Sequence, residues 1–270
     1  MTEVLMPESS SAPSSRREQL ATTFEGYRSE LDADNERRER LIILSRSTTQ
    51  LSKKLIFHLH RGATLTSLEA RSKNLQEARN KVAEIKINFG KIYDEIRGGI
   101  NVESYWRWAR QVSPGLEEYI EAISFLYYLE HASLIPLSEI QSELSDPTTG
   151  QPYVVVTPED YVLGMSDLTG ELMRYATNSL STGDHEIPLA VCDFVRTVKT
   201  YFDGISPAML YKLSKKQEET TRSLEKIEKV CYALRLRLVE YADRPEILRQ
   251  MAKRALEDAR DREGEGDKPA

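Results

Sequence analysis

Cysteine is nearly missing from this chain: Cys192 and Cys231 are the only two in 270 residues. Their wide spacing matches no disulfide framework, no zinc ribbon and no CxxC redox motif, so they read as buried free thiols of a reducing compartment. Turn formers are scarce too, with 13 glycines and 11 prolines, which excludes a turn-rich β architecture and favours helices. No long apolar run exists. The longest near-apolar stretch, Ala122 to Leu129, is far too short to span a bilayer, and the N-terminus lacks the apolar core of a signal peptide. The expectation is an intracellular, soluble protein without a membrane partner. Basic charge does not dominate either: 43 acidic against 37 basic residues leave a net charge of −6, which argues against gripping nucleic acid over the whole surface.

Helical spacing fills most of what is there. Leu41, Leu44, Leu51, Leu55 and His58 predict a first long helix over about 32–61, closed by Gly62. Leu68, Leu75, Val82, Ile85, Phe89 and Ile92 predict a second over about 66–97, stopped by Gly98-Gly99. Further helices are expected over about 114–132 with Pro114 in the first turn, 137–144, 157–180, 187–202, 208–241 and 247–256. Thr157-Pro158-Glu159-Asp160 is a helix start, with a capping hydroxyl, proline and then carboxylates at the positive end. Only Tyr153 to Val156 reads as extended. Residues 1–32, serine- and proline-rich at their start, are expected to form a disordered tail, 33–258 a helical domain and 259–270 a charged tail. The fold class is therefore all-α, a bundle or superhelix of about seven antiparallel helices.

Two carboxylate pairs stand out. Glu118 and Glu121 lie within about 60° of each other on one helix, above Ala122, Phe125 and Leu129. Glu117 points elsewhere and reads as solvated. Asp167 and Glu171 share a face of the next long helix with Gly164, Arg174 and Asn178. Gly164 and Gly170 are unusual inside a helix, and small residues there let another helix or a phosphate backbone come close. Taken singly, each pair reads as a polar helix face. Taken together, four carboxylates on two helices suit one hard cation such as Mg²⁺, which can activate water and stabilise a phosphoryl transition state. No histidine follows a glutamate by three residues, which disfavours a di-iron site, and no nucleophilic triad, Walker loop or dinucleotide turn is present. Basic residues concentrate on the first and last long helices. Lys53, Lys54 and Arg61 on the first are candidates for phosphate contact, though a solvated face explains them equally well. The cluster around Arg37 suits a weak nuclear-localisation signal. The aromatic Tyr105, Trp106 and Trp108 suit either base stacking or packing.

Several of these segments together resemble a known family. Ser52-Lys53-Lys54-Leu55-Ile56-Phe57-His58-Leu59-His60-Arg61, Gly115-Leu116-Glu117-Glu118-Tyr119-Ile120-Glu121-Ala122, Thr157-Pro158-Glu159-Asp160-Tyr161 and above all Asp167-Leu168-Thr169-Gly170-Glu171-Leu172-Met173-Arg174 are similar to the translin-associated factor X group of the translin family. The likeness runs over about residues 35–241. It implies an all-α fold and a closed hetero-oligomer with translin, octameric in the family. It also implies a Mg²⁺-dependent endoribonuclease, with Mn²⁺ as a substitute, acting on single-stranded RNA, small-interfering-RNA passenger strands or precursor-tRNA fragments, in cytoplasm and nucleus. By the same resemblance Glu118, Glu121 and Asp167 are catalytic, and Glu121 and Glu171 ligate the metal. Arg174 is placed to meet the scissile phosphate or to fix the carboxylates. The segment between Glu139 and Tyr153 is shorter than the family's animal members imply, which touches a surface loop only. The alternative function is a non-catalytic scaffold that stabilises translin and modulates its nucleic-acid binding. A generic coiled-coil adaptor fits poorly, because the apolar positions hold no sustained heptad.

Overall fold

A computed structural model describes residues 15–65, 67–97, 104–180, 186–210, 212–240 and 250. Seven helices follow one another among them: α1 (Arg16–Ala63), α2 (Leu68–Arg97), α3 (Ser104–His131), α4 (Leu137–Glu143), α5 (Pro158–Ser179), α6 (Glu186–Phe202) and α7 (Leu213–Glu240). A 3-10 turn, Pro207–Met209, precedes α7. No strand occurs among the described residues. The expected extended stretch before α5 starts at an isolated bridge, with the Tyr153 N–H donating to the Leu144 carbonyl at 2.9 Å. It continues on side-chain bonds, as the Gln141 amide donates to the Val154 carbonyl and accepts from the Val156 N–H, each at 2.9 Å.

The chain divides into a unit up to Arg40 and a unit from Leu41 onward. In the first, α1 begins well before the expected Asp32, so the anticipated disorder of residues 1–32 does not extend to Arg16 and beyond. The start is a reciprocal capping box: the Glu18 N–H reaches the Ser15 hydroxyl at 3.3 Å, and the Ser15 N–H donates to the Glu18 carboxylate at 2.8 Å. Leu20, Phe24, Tyr27 and Leu31 of this unit are all exposed. The earlier tail residues, the expected helix over 247–256 (apart from residue 250) and the charged C-terminal tail lie outside the described residues.

The second unit holds the core. Leu41, Leu55, Phe89, Ile92, Leu116, Tyr119, Phe125 and Leu172 are fully buried, and α3 and α5 pack directly on one another. α5 packs in turn on α6 and α7. Two boundaries differ from expectation: α7 starts at Leu213, after the 3-10 turn, and not near residue 208, and α3 starts at Ser104 and runs through Pro114 instead of beginning there. An interior proline removes a helical hydrogen bond. Here Ser45 of α1 serves the backbone beside it, accepting from the Gly115 N–H at 3.1 Å and donating to the Val112 carbonyl at 3.4 Å. Because α3 extends this far back, Tyr105 and Trp108 are buried on it as packing residues, while Trp106 is 60% exposed. At the start of α5 the Asp160 N–H donates to the Thr157 hydroxyl at 3.0 Å, as the sequence predicts.

Candidate functional site

Gly164 sets how closely the two carboxylate-bearing helices approach. A β-carbon at this position would sit 2.6 Å from Cγ2 of Ile120 and 3.2 Å from the Glu117 carbonyl, so glycine is what allows α5 to lie against α3 here. Gly170 has no such role, since a β-carbon there would meet nothing within 4 Å. The small-residue reading therefore holds at one glycine and fails at the other.

Across this contact Glu121 of α3, with Glu118 beside it, lies close enough to Asp167 and Glu171 of α5 to interact by charge. Glu121 feels it most. Burial, then the charges of Asp167, Glu171 and Glu118, push its carboxyl up to about 8. Among the described residues no hydrogen bond or ion pair holds it, and the Lys216 charge opposes the rise without cancelling it. The other three carboxylates have cationic partners. Glu118 lies 3.2 Å from the Lys53 ammonium, and Asp167 forms an ion pair with Lys216 of α7. Glu171 meets the His60 imidazole at 2.5 Å and the Arg174 guanidinium at 3.3 Å. With these partners in place, no group of three or more Asp, Glu, His or Cys side chains among the described residues is gathered closely enough to hold a metal ion.

His60 and Lys216 are functional candidates that sequence reasoning missed. His60 is buried at the end of α1, its ring 4.7 Å from that of Phe125, and Nδ1 is buried without a hydrogen-bond partner. Its place seven residues after Lys53 on one helix was the only available sign that both reach the same site. Lys216 is largely buried. Burial alone would lower its pKa, but the hydrogen bond and charge of Asp167, with Glu219 and Glu117 behind, raise it instead. Glu117 corrects the sequence reading as well. Its side chain is only 13% exposed, burial raises its pKa, and Lys212 pairs with it at 3.2 Å. It belongs to the α3–α7 side of the cluster and is not solvated.

Of the proposed phosphate contacts, Lys53 and Arg174 reach the cluster, with Arg174 60% exposed at its edge. Lys54 and Arg61 are exposed and form no ion pair with the four carboxylates. Among the described residues no helix is long and apolar enough to cross a membrane.

The chain was compared with known proteins and structures. A family model described as "Translin family" matches residues 36–238. The chain is 37% identical over 232 residues to Translin-associated protein X of Mus musculus, covering 79% of this chain and 78% of that one. The crystal structure of AfC3PO superposes with a TM-score of 0.60 at 18% identity, over 80% of this chain and 99% of the other. An AfC3PO–duplex RNA complex superposes at 0.54 with 20% identity, over 80% and 98%. At these identities the two structures establish the common helical fold.

Proposed function

The chain belongs to the translin family, and from that premise we propose that it is the catalytic subunit of a Mg²⁺-dependent endoribonuclease assembled with translin, probing single-stranded RNA or processed small RNA for cleavage. One observation carries the proposal: Glu121, half-buried and without a hydrogen bond or ion pair among the described residues, has Glu118 beside it on α3 and faces Asp167 and Glu171 across the α3–α5 contact. Such an arrangement is costly for any chain that only needs to fold. The donor set fits a hard divalent cation, being all oxygen, and Mn²⁺ is acceptable to the same ligands. Both partners of Glu171, His60 and Arg174, meet its Oε2, so Oε1 would be its donor to the ion; Asp167 and Glu118 would join the shell only by exchanging an ammonium partner for the metal.

Glu121 and Glu171, one from each helix, would hold the ion. When bound, Mg²⁺ would lower the pKa of a water and stabilise the charge that builds on the phosphoryl group. Glu118 and Asp167 would complete the shell or orient the attacking water. His60 fixes Glu171 from the buried side and Arg174 from the open side. Arg174 and Lys53, both well exposed, are placed to meet phosphate oxygens of the RNA, while Lys54 and Arg61 would act further along the strand. The partner supplies much of the grip, in keeping with a net charge of −6 here. By likeness to the family the assembly would be a hetero-octamer.

The scaffold reading draws on a different observation, the pairing of three carboxylates with Lys53, Lys216 and His60, which a purely structural cluster would also show. The co-purified complex separates the two. Labelled single-stranded RNA should be cleaved with Mg²⁺ and left intact with EDTA. Glu121→Gln and Asp167→Asn should each lower cleavage at least about a hundredfold, with assembly with translin unchanged on size exclusion. Full activity in either amide variant sinks the enzyme assignment.

A further inference from the structure

The two cysteines that look unremarkable in sequence meet in space. Cys192 of α6 and Cys231 of α7 are both buried, and they are near enough to interact by charge. They line the same cavity of about 250 Å³, together with Asp193, Arg196, Glu228 and Arg235. The two thiols are not equivalent. Arg196 donates from Nη2 to Cys192 Sγ at 3.4 Å while it is also held by Glu228 at 2.9 Å and Asp193 at 3.2 Å. The Cys231 thiol instead donates to the Pro188 carbonyl at 3.2 Å. Burial, followed by the charge of Cys192, pushes Cys231 up to about 12, so it keeps its proton. A guanidinium beside one sulfur and a retained proton on the other is the division of labour of an attacking and a resolving thiol.

We propose that Cys192 and Cys231 form a two-electron redox site, a thiol pair that a small hydroperoxide entering this cavity closes to an intramolecular disulfide between α6 and α7. The Cys192 sulfur attacks one peroxide oxygen. The O–O bond breaks, hydroxide leaves and takes up the Cys192 proton as water, and a sulfenic acid remains on Cys192. The Cys231 sulfur then attacks the Cys192 sulfur, displacing the hydroxyl, which leaves as a second water with the Cys231 proton. Two thiols lose two electrons and two protons, and hydrogen peroxide is reduced to two waters. The site is independent of the carboxylate cluster and of the reaction proposed there.

Because the chain has only two cysteines, the product is unambiguous. The full-length folded chain, as co-purified, is treated with excess hydrogen peroxide, blocked with iodoacetamide without reductant, digested and weighed. The expected result is one peptide pair joined through Cys192 and Cys231, lighter than the two free peptides by two hydrogens, and lost on reduction. In Cys231→Ser the intermediate should persist, and dimedone should label Cys192. In Cys192→Ser, Cys231 should stay unlabelled. The proposal is overturned if the folded wild-type chain gives no such linked pair, or gives it only in urea. Links between two chains, or sulfinic acid at either cysteine in place of the disulfide, would overturn it equally.

Discussion

Glu121 is the residue on which burial and charge act in the same direction. Its folded-state pKa of about 8 stands above the 4.5 of an ordinary glutamate. Below the lower value both the folded and unfolded chains hold the proton, and Glu121 costs nothing. Between the two values the unfolded chain releases the proton and the folded one keeps it, so metal-free stability falls as pH rises; above about 8 the loss levels off. Glu121→Gln should therefore raise the melting temperature in EDTA at pH 8 by an amount worth on the order of a few kcal/mol, and do little near pH 4.5. Equal effects at both ends, followed by calorimetry, would contradict the picture. Mg²⁺ should stabilise the wild-type chain at pH 8 and leave the amide variant where it was. His60 gives a second residue-scale expectation. His60→Leu leaves Glu171, whose side chain is 14% exposed, with the outer Arg174 alone, and should lower the urea midpoint by an amount worth about 1–3 kcal/mol.

At the scale of the element, α5 carries two glycines with opposite expectations. Gly164→Ala forces a β-carbon to within 2.6 Å of Ile120, and should cost about 1–3 kcal/mol and lower cleavage by parting the carboxylate pairs. Gly170→Ala meets open space and should stabilise by about 0.5–1 kcal/mol through helix propensity. Denaturant midpoints of the two variants should move in opposite directions. Helix positions, the Thr157 cap and the sharing of faces by Glu118 with Glu121 and Asp167 with Glu171 were legible because they follow from local spacing. The early start of α3 was not, since Pro114 reads as a boundary until Ser45, far away in sequence, is seen to serve the backbone beside it. The start of α1 was open to reading in Ser15 and Glu18, a capping box masked by the polar composition that follows. Lys216 and Glu117 depend on which helices become neighbours, and no periodicity within one helix contains that.

For the whole molecule, a surplus of acid suits catalysis better than tight binding. Four acids gather at the carboxylate cluster, where Lys53, Lys216 and Arg174 offset their charge in part. The chain without its partner should retain single-stranded RNA poorly at physiological ionic strength, and the complex should bind it with a salt dependence set largely by the partner's phosphate contacts. Filter binding across a salt series checks this, and tight, salt-sensitive binding by the isolated chain would count against the division of roles.

Lys53 and His60 belong to one uninterrupted helix, yet the first touches a carboxylate of α3 and the second a carboxylate of α5. α1 is thus a ruler with two marks, about 10.5 Å apart along its axis and nearly in line around it. A single alanine inserted between those marks would turn one away by about 100° while leaving every side chain of the cluster chemically intact. Residue identity at this site is worth only as much as the phase of a helix that contributes none of the four acids.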